Sequence, residues 1–361
     1  MNPPSLAQPV RITVDLEALA ANYAQLRHRA APAEVAAVVK ANAYGLGVGP
    51  VASRLARDGC HSFFAGTVSE GLELRRVLRH ARVFVLNELP AGGAPQYTRD
   101  QLVPVLNTLD EVRAWATQGA AAPAALQIDT GMTRAGLSAA DVAQLAADSQ
   151  LRAALNVVLV MSHLACADEA THPLNRQQLE RFGHLRRHWP GIPWSIANSA
   201  GIFLGPDFHG DLVRPGIALY GGRPGASGAN PMRAVVKLES RVLQVRAIAD
   251  RVTVGYGAAQ ALTPPARIAT AGIGYADGYP RSLSGHGSAL WRGRRARIAG
   301  RVSMDLLTLD VSDSGFADLT AGEWVTLIGD GLTLEEVASA GSTVNYELLT
   351  SLSRRADRVY R

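Results

Sequence analysis

The chain has 361 residues, 47% of them hydrophobic and 19% charged, with a formal net charge of +5. That is ordinary globular composition, enough for one large core or two domains, and it excludes a disordered or fibrous chain. No stretch approaches the roughly 18 uninterrupted apolar residues of a membrane helix, and the opening MNPPSLAQPVR has no apolar signal region, so no membrane partner and a cytoplasmic location are expected.

Cys60 and Cys166, the two cysteines, make no disulfide framework and lack metal-ligand spacing, so no metal is expected. The arginines are scattered except in residues 291–301 (WRGRRARIAGR), where no nucleic-acid-binding motif accompanies them. Nucleic acid is therefore not an expected partner, and the basic surface reads as a solvated or carboxylate-steering face.

In chain order, short β-rich apolar runs alternate from about residue 35 to 219 with alanine-rich amphipathic stretches. The strand candidates are residues 35–40, 62–66, 82–86, 102–106, 124–129, 155–162, 194–197 and 212–214, with helical patterns at 70–78, 110–118, 141–148 and 173–187 among them. Eight such units predict a (β/α)8 TIM-type barrel rather than an open doubly wound sheet. Barrel enzymes place their chemistry at the carboxyl ends of the strands, and Lys40, Leu86, Arg134, His163, Asn198, Ser199 and Arg214 fall at or just after those ends. Past the proline- and glycine-rich residues 221–231 the pattern changes to strand runs at 234–248, 251–256, 267–273, 296–298, 306–311 and 323–328. One short helix follows at 333–340, with Thr333 as its cap and Glu336 completing a capping box. We therefore expect a barrel over residues 12–225 and a mostly β domain over 226–361, which residues 1–11 could join.

Lys40 carries the most chemical information. It lies in residues 37–47 (AVVKANAYGLG), at the end of an apolar run, where an ordinary lysine would snorkel its ammonium into water. Small residues, Tyr44 and the glycines Gly45, Gly47 and Gly49 follow it, so backbone can approach a ligand closely there. A partly desolvated lysine has a lowered pKa and can attack a carbonyl, which is the chemistry that pyridoxal 5'-phosphate requires.

This segment resembles the cofactor-lysine motif of the alanine racemases, a pyridoxal-phosphate-dependent family of fold type III. Further blocks in the same order resemble that family too: residues 128–136 (IDTGMTRAG), 161–168 (MSHLACAD), 197–200 (ANSA), 213–221 (VRPGIALYG), 254–257 (VGYG), and 272–281 with 301–305 (GIGYADGYPR and RVSMD). The resemblance implies two-base interconversion of L- and D-alanine, supplying D-alanine for cell-wall peptidoglycan. It makes Lys40 the cofactor lysine and the base on one face, and Tyr256 the base on the other, with His163 and Arg214 stabilising the phenolate. Arg214 would face the pyridine nitrogen, which must accept because arginine has donors only. Tyr44, Ser199, the N–H groups of Gly216 and Ile217, and Tyr346 would hold the phosphate, with His163 and Asn198 also at the cofactor. Arg134 and Met304 would bind the substrate. Asp305 and Tyr275 would support the site, and Tyr275, Asp168, Arg281 and Arg301 would line the way in. A head-to-tail homodimer is implied, with Tyr256 and Met304 of one chain reaching the barrel of the other.

One position departs from the pattern. Many relatives have a carbamylated lysine where Gln127 stands, seven residues before Arg134. Glutamine cannot be carbamylated, so Gln127 is expected to orient Arg134 by an amide hydrogen bond, or a bound anion to take the place of the charge. The competing readings are a broader or serine-preferring racemase, a related decarboxylase, and a non-catalytic pyridoxal-phosphate-binding protein.

Overall fold

Unbroken apolar runs need burial on both faces, and the chain between Leu19 and Arg233 provides it. In this computed structural model, which describes residues 8–361 other than 88, 120 and 353, that segment is one of two units. Its strands Ala37–Val38, Ser62–Ala65, Arg82–Val85, Leu102–Leu106, Pro123–Gln127, Asn156–Met161 and Trp194–Ser195 form a parallel sheet in chain order. Leu212–Val213 closes the ring. It pairs in parallel with Glu34–Val35, and the N–H of Arg214 reaches the carbonyl of Ala197 at 2.9 Å on the other side. The eight expected strand positions are thus present as a closed parallel barrel, with side chains such as Phe64 and Phe84 on one face of its strands and Phe63 buried on the other. Phe64 and Phe84 stack with their ring centroids 4.6 Å apart. Each ring buried in this way contributes about 1.5–3 kcal/mol.

The returning helices begin where short polar residues cap them. Thr67, Thr108 and Ser138 each accept a backbone N–H from the third residue of the following helix, closing capping boxes with Glu70, Glu111 and Asp141. These caps set the starts of Val68–Val77, Leu109–Gln118 and Ala139–Ala147 one or two residues before the periodic positions from which the sequence reading counted. Helices Leu16–Ala30, Val48–Arg57 and Ala94–Arg99 were not expected from periodicity.

The second unit comprises the described residues up to Ala18 together with Ala234–Arg361. Its sheet runs in the order Ala266–Ala271, Leu307–Asp310, Arg294–Ile298, Ser288–Trp291, Trp324–Ile328, Val236–Ile248, Val10–Val14, Asp357–Tyr360. Val236–Ile248 is long enough to pair with Ala266–Ala271 as well, closing the first six strands into a ring. A ribbon of Val252–Val254 and Gln260–Leu262 packs over Ile248, Ile268 and Ala299.

Two boundaries differ from the sequence expectation. Val10–Val14 pairs with Val236–Ile248 in this second sheet, so residues 12–18 do not belong with the barrel. The division near 225 falls instead after Arg233, because the stretch read as a linker folds back on the first unit. Ala226 N–H reaches the carbonyl of Asp168 at 2.9 Å, and the Asn22 amide holds both backbone groups of Arg233. Thr333 caps Leu334–Ala340 as expected, but the Glu336 carboxylate pairs with Arg295. A second helix, Asn345–Thr350, carries Tyr346. No helix among the described residues is long and apolar enough to cross a membrane.

Candidate active site

The first strand ends at Val38, and Lys40 lies beyond it. The expected strand 35–40 is broken because Ala41, Asn42, Ala43 and Tyr44 all take left-handed backbone angles, with φ of 53°, 56°, 53° and 54°. Such a conformation costs about 1–2 kcal/mol for each residue with a side chain, so the turn stands only because its surroundings hold it. Gly45 N–H bonds to Ala41 O at 2.7 Å, Gly47 N–H to Asn42 O at 2.9 Å, and Asn42 Oδ1 accepts from Val48 N–H at 2.8 Å. Burial lowers the pKa of Lys40, the positive charge of Arg134 lowers it further, and Glu70 opposes both. The neutral, nucleophilic amine is therefore more populated than in free lysine.

Arg214 is buried under the barrel rim. Its guanidinium donates to Ser195 Oγ and the Ser162 carbonyl, and its Nη2 lies 3.4 Å from His163 Nδ1. Burial brings its pKa down to about 9, which leaves it charged at neutral pH. Burial, followed by the charges of Arg214, Arg134 and Lys40, pushes the His163 imidazole down to about 3. Four groups expected at the site thus converge electrostatically.

The neutral His163 has a measurable consequence. An unfolded chain takes up a proton on histidine below about 6.5, whereas the folded chain resists until about 3, so stability falls as pH drops through that window. His163→Gln should remove about 2 kcal/mol of this loss between pH 7 and 5. Denaturant midpoints measured across that range check it, and a slope equal to that of the unsubstituted protein would refute the neutral imidazole.

Beside these groups is a cradle suited to an anion. Ser199 Oγ accepts the N–H of Gly216 at 2.9 Å and that of Ala218 at 3.2 Å, which leaves its own hydrogen to donate outward. Gly216 N–H, expected as a direct phosphate donor, is therefore taken by Ser199. Ile217 N–H has no acceptor among the described residues. A Cβ at Gly216 would lie 2.1 Å from the Tyr44 hydroxyl, so the phenol occupies the space that only a glycine leaves. Asn198 Oδ1 accepts from Gly201 N–H at 2.9 Å and shapes the backbone that presents Ser199.

Arg134 is exposed on the loop after Pro123–Gln127. Gln127 does not reach its guanidinium: the amide donates to the carbonyl of Ala135 at 3.1 Å. The other end of the loop is held by Asp129, which the sequence reading passed over. Its Oδ1 accepts the successive N–H groups of Gly131, Met132 and Thr133 at 2.9, 3.0 and 3.1 Å. An aspartate two residues before a glycine was the available signal, since this is how such side chains cap turns. The loop is fixed through its backbone at both ends, with no negative side chain placed on the arginine by Gln127.

The remaining expected residues belong to the second unit. Tyr256 opens a single turn, Tyr256–Ala258, between Gly255 and Gly257, and is 70% exposed. Tyr275, Met304 and Tyr346 are also exposed. Tyr275 N–H bonds to Ser303 O, and Ala276 N–H to Met304 O, so Tyr275 and Met304 share one backbone junction. Gly274 makes this possible, since a Cβ there would lie 2.3 Å from the carbonyl oxygens of Ser303 and Met304. Asp305 pairs with Arg355 at 2.9 Å, and Arg355 also meets Asp277 at 3.3 Å. Arg301 lies beside Gly257, whereas Arg281 and Asp168 are exposed. Of the cysteines, Cys60 is buried and Cys166 partly so, both free thiols.

A parallel barrel with a lysine of lowered pKa at a strand end, a buried arginine and an anion cradle, followed by a β domain, has the layout of a barrel enzyme whose chemistry sits at the carboxyl ends of its strands. Comparison with known proteins agrees. The family model for the alanine racemase N-terminal domain matches residues 14–224, and that for the alanine racemase C-terminal domain matches residues 235–360. An alanine racemase of Rhodospirillum rubrum is 47% identical, covering 97% of this chain and 95% of its own. A catabolic alanine racemase of Agrobacterium fabrum is 46% identical, covering 97% of this chain and 91% of its own. The crystal structure of alanine racemase from Bartonella henselae with covalently bound pyridoxal phosphate superposes with a TM-score of 0.93 at 39% identity, covering 98% of this chain and 99% of that one. The chain belongs to the alanine racemase family, and it is an isomerase, an amino-acid racemase.

Proposed function

We propose that this protein interconverts L- and D-alanine with pyridoxal 5'-phosphate as cofactor, Lys40 and Tyr256 serving as bases on opposite faces of the α-carbon. The observation that carries the reading is the juxtaposition of a lysine of lowered pKa with the Ser199, Gly216 and Tyr44 cradle in the barrel. The residues fit the cofactor. The outward Ser199 hydroxyl, the Ile217 N–H and the Tyr44 phenol suit a phosphate, and Arg214 offers donors only. Bound there, pyridoxal phosphate supplies the electron sink that makes an amino acid's α-proton removable.

The chain's own residues do the rest. Lys40, with its pKa lowered by burial and by Arg134, holds or releases a proton at Nζ more readily than a free lysine. Arg214 stays charged while fixed by Ser195 and Ser162, so it cannot take a proton from a partner and disfavours a protonated neighbour. Arg134, on a loop clamped by Asp129 and Gln127, presents its guanidinium to the substrate carboxylate. Met304 and Tyr275, joined through the backbone, with Asp305 anchored to Arg355, are the substrate-side residues that the second unit would offer to a partner's barrel.

The working unit we assign is a head-to-tail homodimer in which Tyr256 and Met304 serve the partner's barrel. Support comes from exposure: Tyr256, Met304 and Tyr275 leave 70%, 54% and 43% of their surface in solvent, more than large side chains on a lone monomer need. The D-alanine produced would serve peptidoglycan synthesis in the cytoplasm.

Incubating the cofactor-loaded protein separately with L-alanine, L-serine and L-lysine in D2O, with chiral analysis of the products, tests this. Fast α-proton exchange giving the D-isomer from alanine alone is expected. Comparable turnover of serine or lysine would make this a broad racemase, and exchange without inversion would end the two-base assignment.

A further inference from the structure

We propose that Glu70 is a positioning residue for Lys40, pinning the first peptide of the left-handed turn to the end of the neighbouring strand. The proposal rests on Lys40 being the cofactor lysine and deepens that reading.

Glu70 stands at the third position of helix Val68–Val77, where it closes the Thr67 capping box. A carboxylate there needs only the backbone of its own connection. Glu111, the same element in Leu109–Gln118, bonds to the N–H groups of Asn107 at 2.6 Å and Thr108 at 3.2 Å. Asp141 likewise stays with Ser138. Glu70 goes further. Its Oε2 accepts from Gly66 N–H at 2.7 Å and Thr67 N–H at 3.4 Å, while Oε1 accepts from Ala41 N–H at 2.7 Å. Of these three boxes it is the one whose carboxylate bonds to a different strand's end.

Ala41 is the residue after Lys40, and Glu70 is the acceptor its N–H takes. Val39 N–H to Phe64 O, at 2.9 Å, is the last rung that joins the two strands before the backbone turns left-handed. The Ala41 N–H lies at the exposed rim, and its bond to a charged acceptor offsets part of the strain in the turn that begins there. Gly66 completes the contact: a Cβ there would lie 3.1 Å from Glu70 Oε2 and 3.5 Å from Lys40 Cβ. Carboxylate, strand end and lysine stem therefore meet at one point. The Glu70 charge also raises the Lys40 pKa, against burial and Arg134.

Glu70→Gln and Thr67→Ala separate positioning from helix capping. Both weaken the cap, but Thr67→Ala leaves the Ala41 bond in place. Two measurements are made on each: amide hydrogen exchange over residues 41–44 in the protein before and after cofactor is added, and the pH dependence of the rate at which stripped protein captures pyridoxal phosphate covalently. Glu70→Gln should speed exchange over residues 41–44 at least tenfold and move the midpoint of the capture profile about 0.5–1 unit to lower pH, since removing the anion lowers the lysine pKa. Thr67→Ala should leave both unchanged. Should Glu70→Gln fail to fold, Glu70→Asp keeps the charge, loses the reach to Ala41, and should speed the same exchange. Equal behaviour of the Thr67 and Glu70 variants, or unchanged exchange and midpoint in the Glu70 variant, would overturn the proposal. Failure of the unsubstituted protein to capture the cofactor at all would instead refute the reading of Lys40, leaving the exchange data to judge Glu70.

Discussion

Tyr256→Phe should lower racemisation by about 10³-fold or more while leaving one enantiomer of alanine still exchanging its α-proton with solvent. The substitution deletes a single hydroxyl from a side chain that is 70% exposed, so it opens no cavity, and the thermal midpoint should not move. The backbone around it is set by Gly255 and Gly257, at φ of 69° and 68°, and by Arg301 packed on Gly257, none of which depends on the phenol oxygen. What is lost is a proton carrier on one face. Lys40 would continue to remove and return the proton of the enantiomer presented to it, so deuterium should enter that enantiomer without inversion. Chiral chromatography joined to mass analysis in D2O reads both quantities at once. Inversion persisting at near-normal rate would remove Tyr256 from catalysis.

Lys40→Ala should cost about 10⁴-fold or more in racemisation and abolish covalent capture of pyridoxal phosphate, because the proposed function makes one side chain both attachment point and base. The fold should survive, and stability should hold or rise. The wild-type ammonium is disfavoured by burial and by Arg134, so deleting it removes a desolvated charge and leaves the carboxylate of Glu70 with its three backbone donors. Absorbance of the bound cofactor and a urea titration measure the two effects. Retention of more than about a hundredth of the activity would contradict the assignment.

Much of this was legible in the sequence, for identifiable reasons. Barrel strands buried on both faces read as continuous apolar runs, so residues 62–66, 82–86 and 102–106 stood out as the structure has them. Strands of two residues carry no period. The segment around 35–40 therefore read as one strand, although Glu34–Val35 pairs with Leu212–Val213 and Ala37–Val38 pairs with Phe63–Phe64. Residues 12–14 of the strand Val10–Val14 were assigned to the barrel because that strand's partners, Val236–Ile248 and Asp357–Tyr360, are more than 200 residues away, and pairing at that distance leaves no local trace. At the site, residue type and context pointed to Lys40, and strand-end position with the family resemblance pointed to Ser199 and Arg214. These signals did not reveal that Gln127 would bond to Ala135 O, that Gly216 N–H would be taken by Ser199, or that Asp129 would gather three amides. Those are choices among hydrogen-bond partners, made only once the backbone is folded.

The turn after Lys40 shows how the barrel rim treats slack. Glycine adopts φ near +55° without strain, yet the chain places alanine, asparagine, alanine and tyrosine at its left-handed positions and keeps glycine for Gly45, just beyond. A glycine there would relax the backbone and also let it wander through the whole positive-φ half of its map. An alanine forced into the left-handed basin has one narrow well and no easy exit. The lysine is thereby mounted on a stiff spring, and a redesign that sought thermal stability by easing those angles would trade away the return of Nζ to the same place after every turnover.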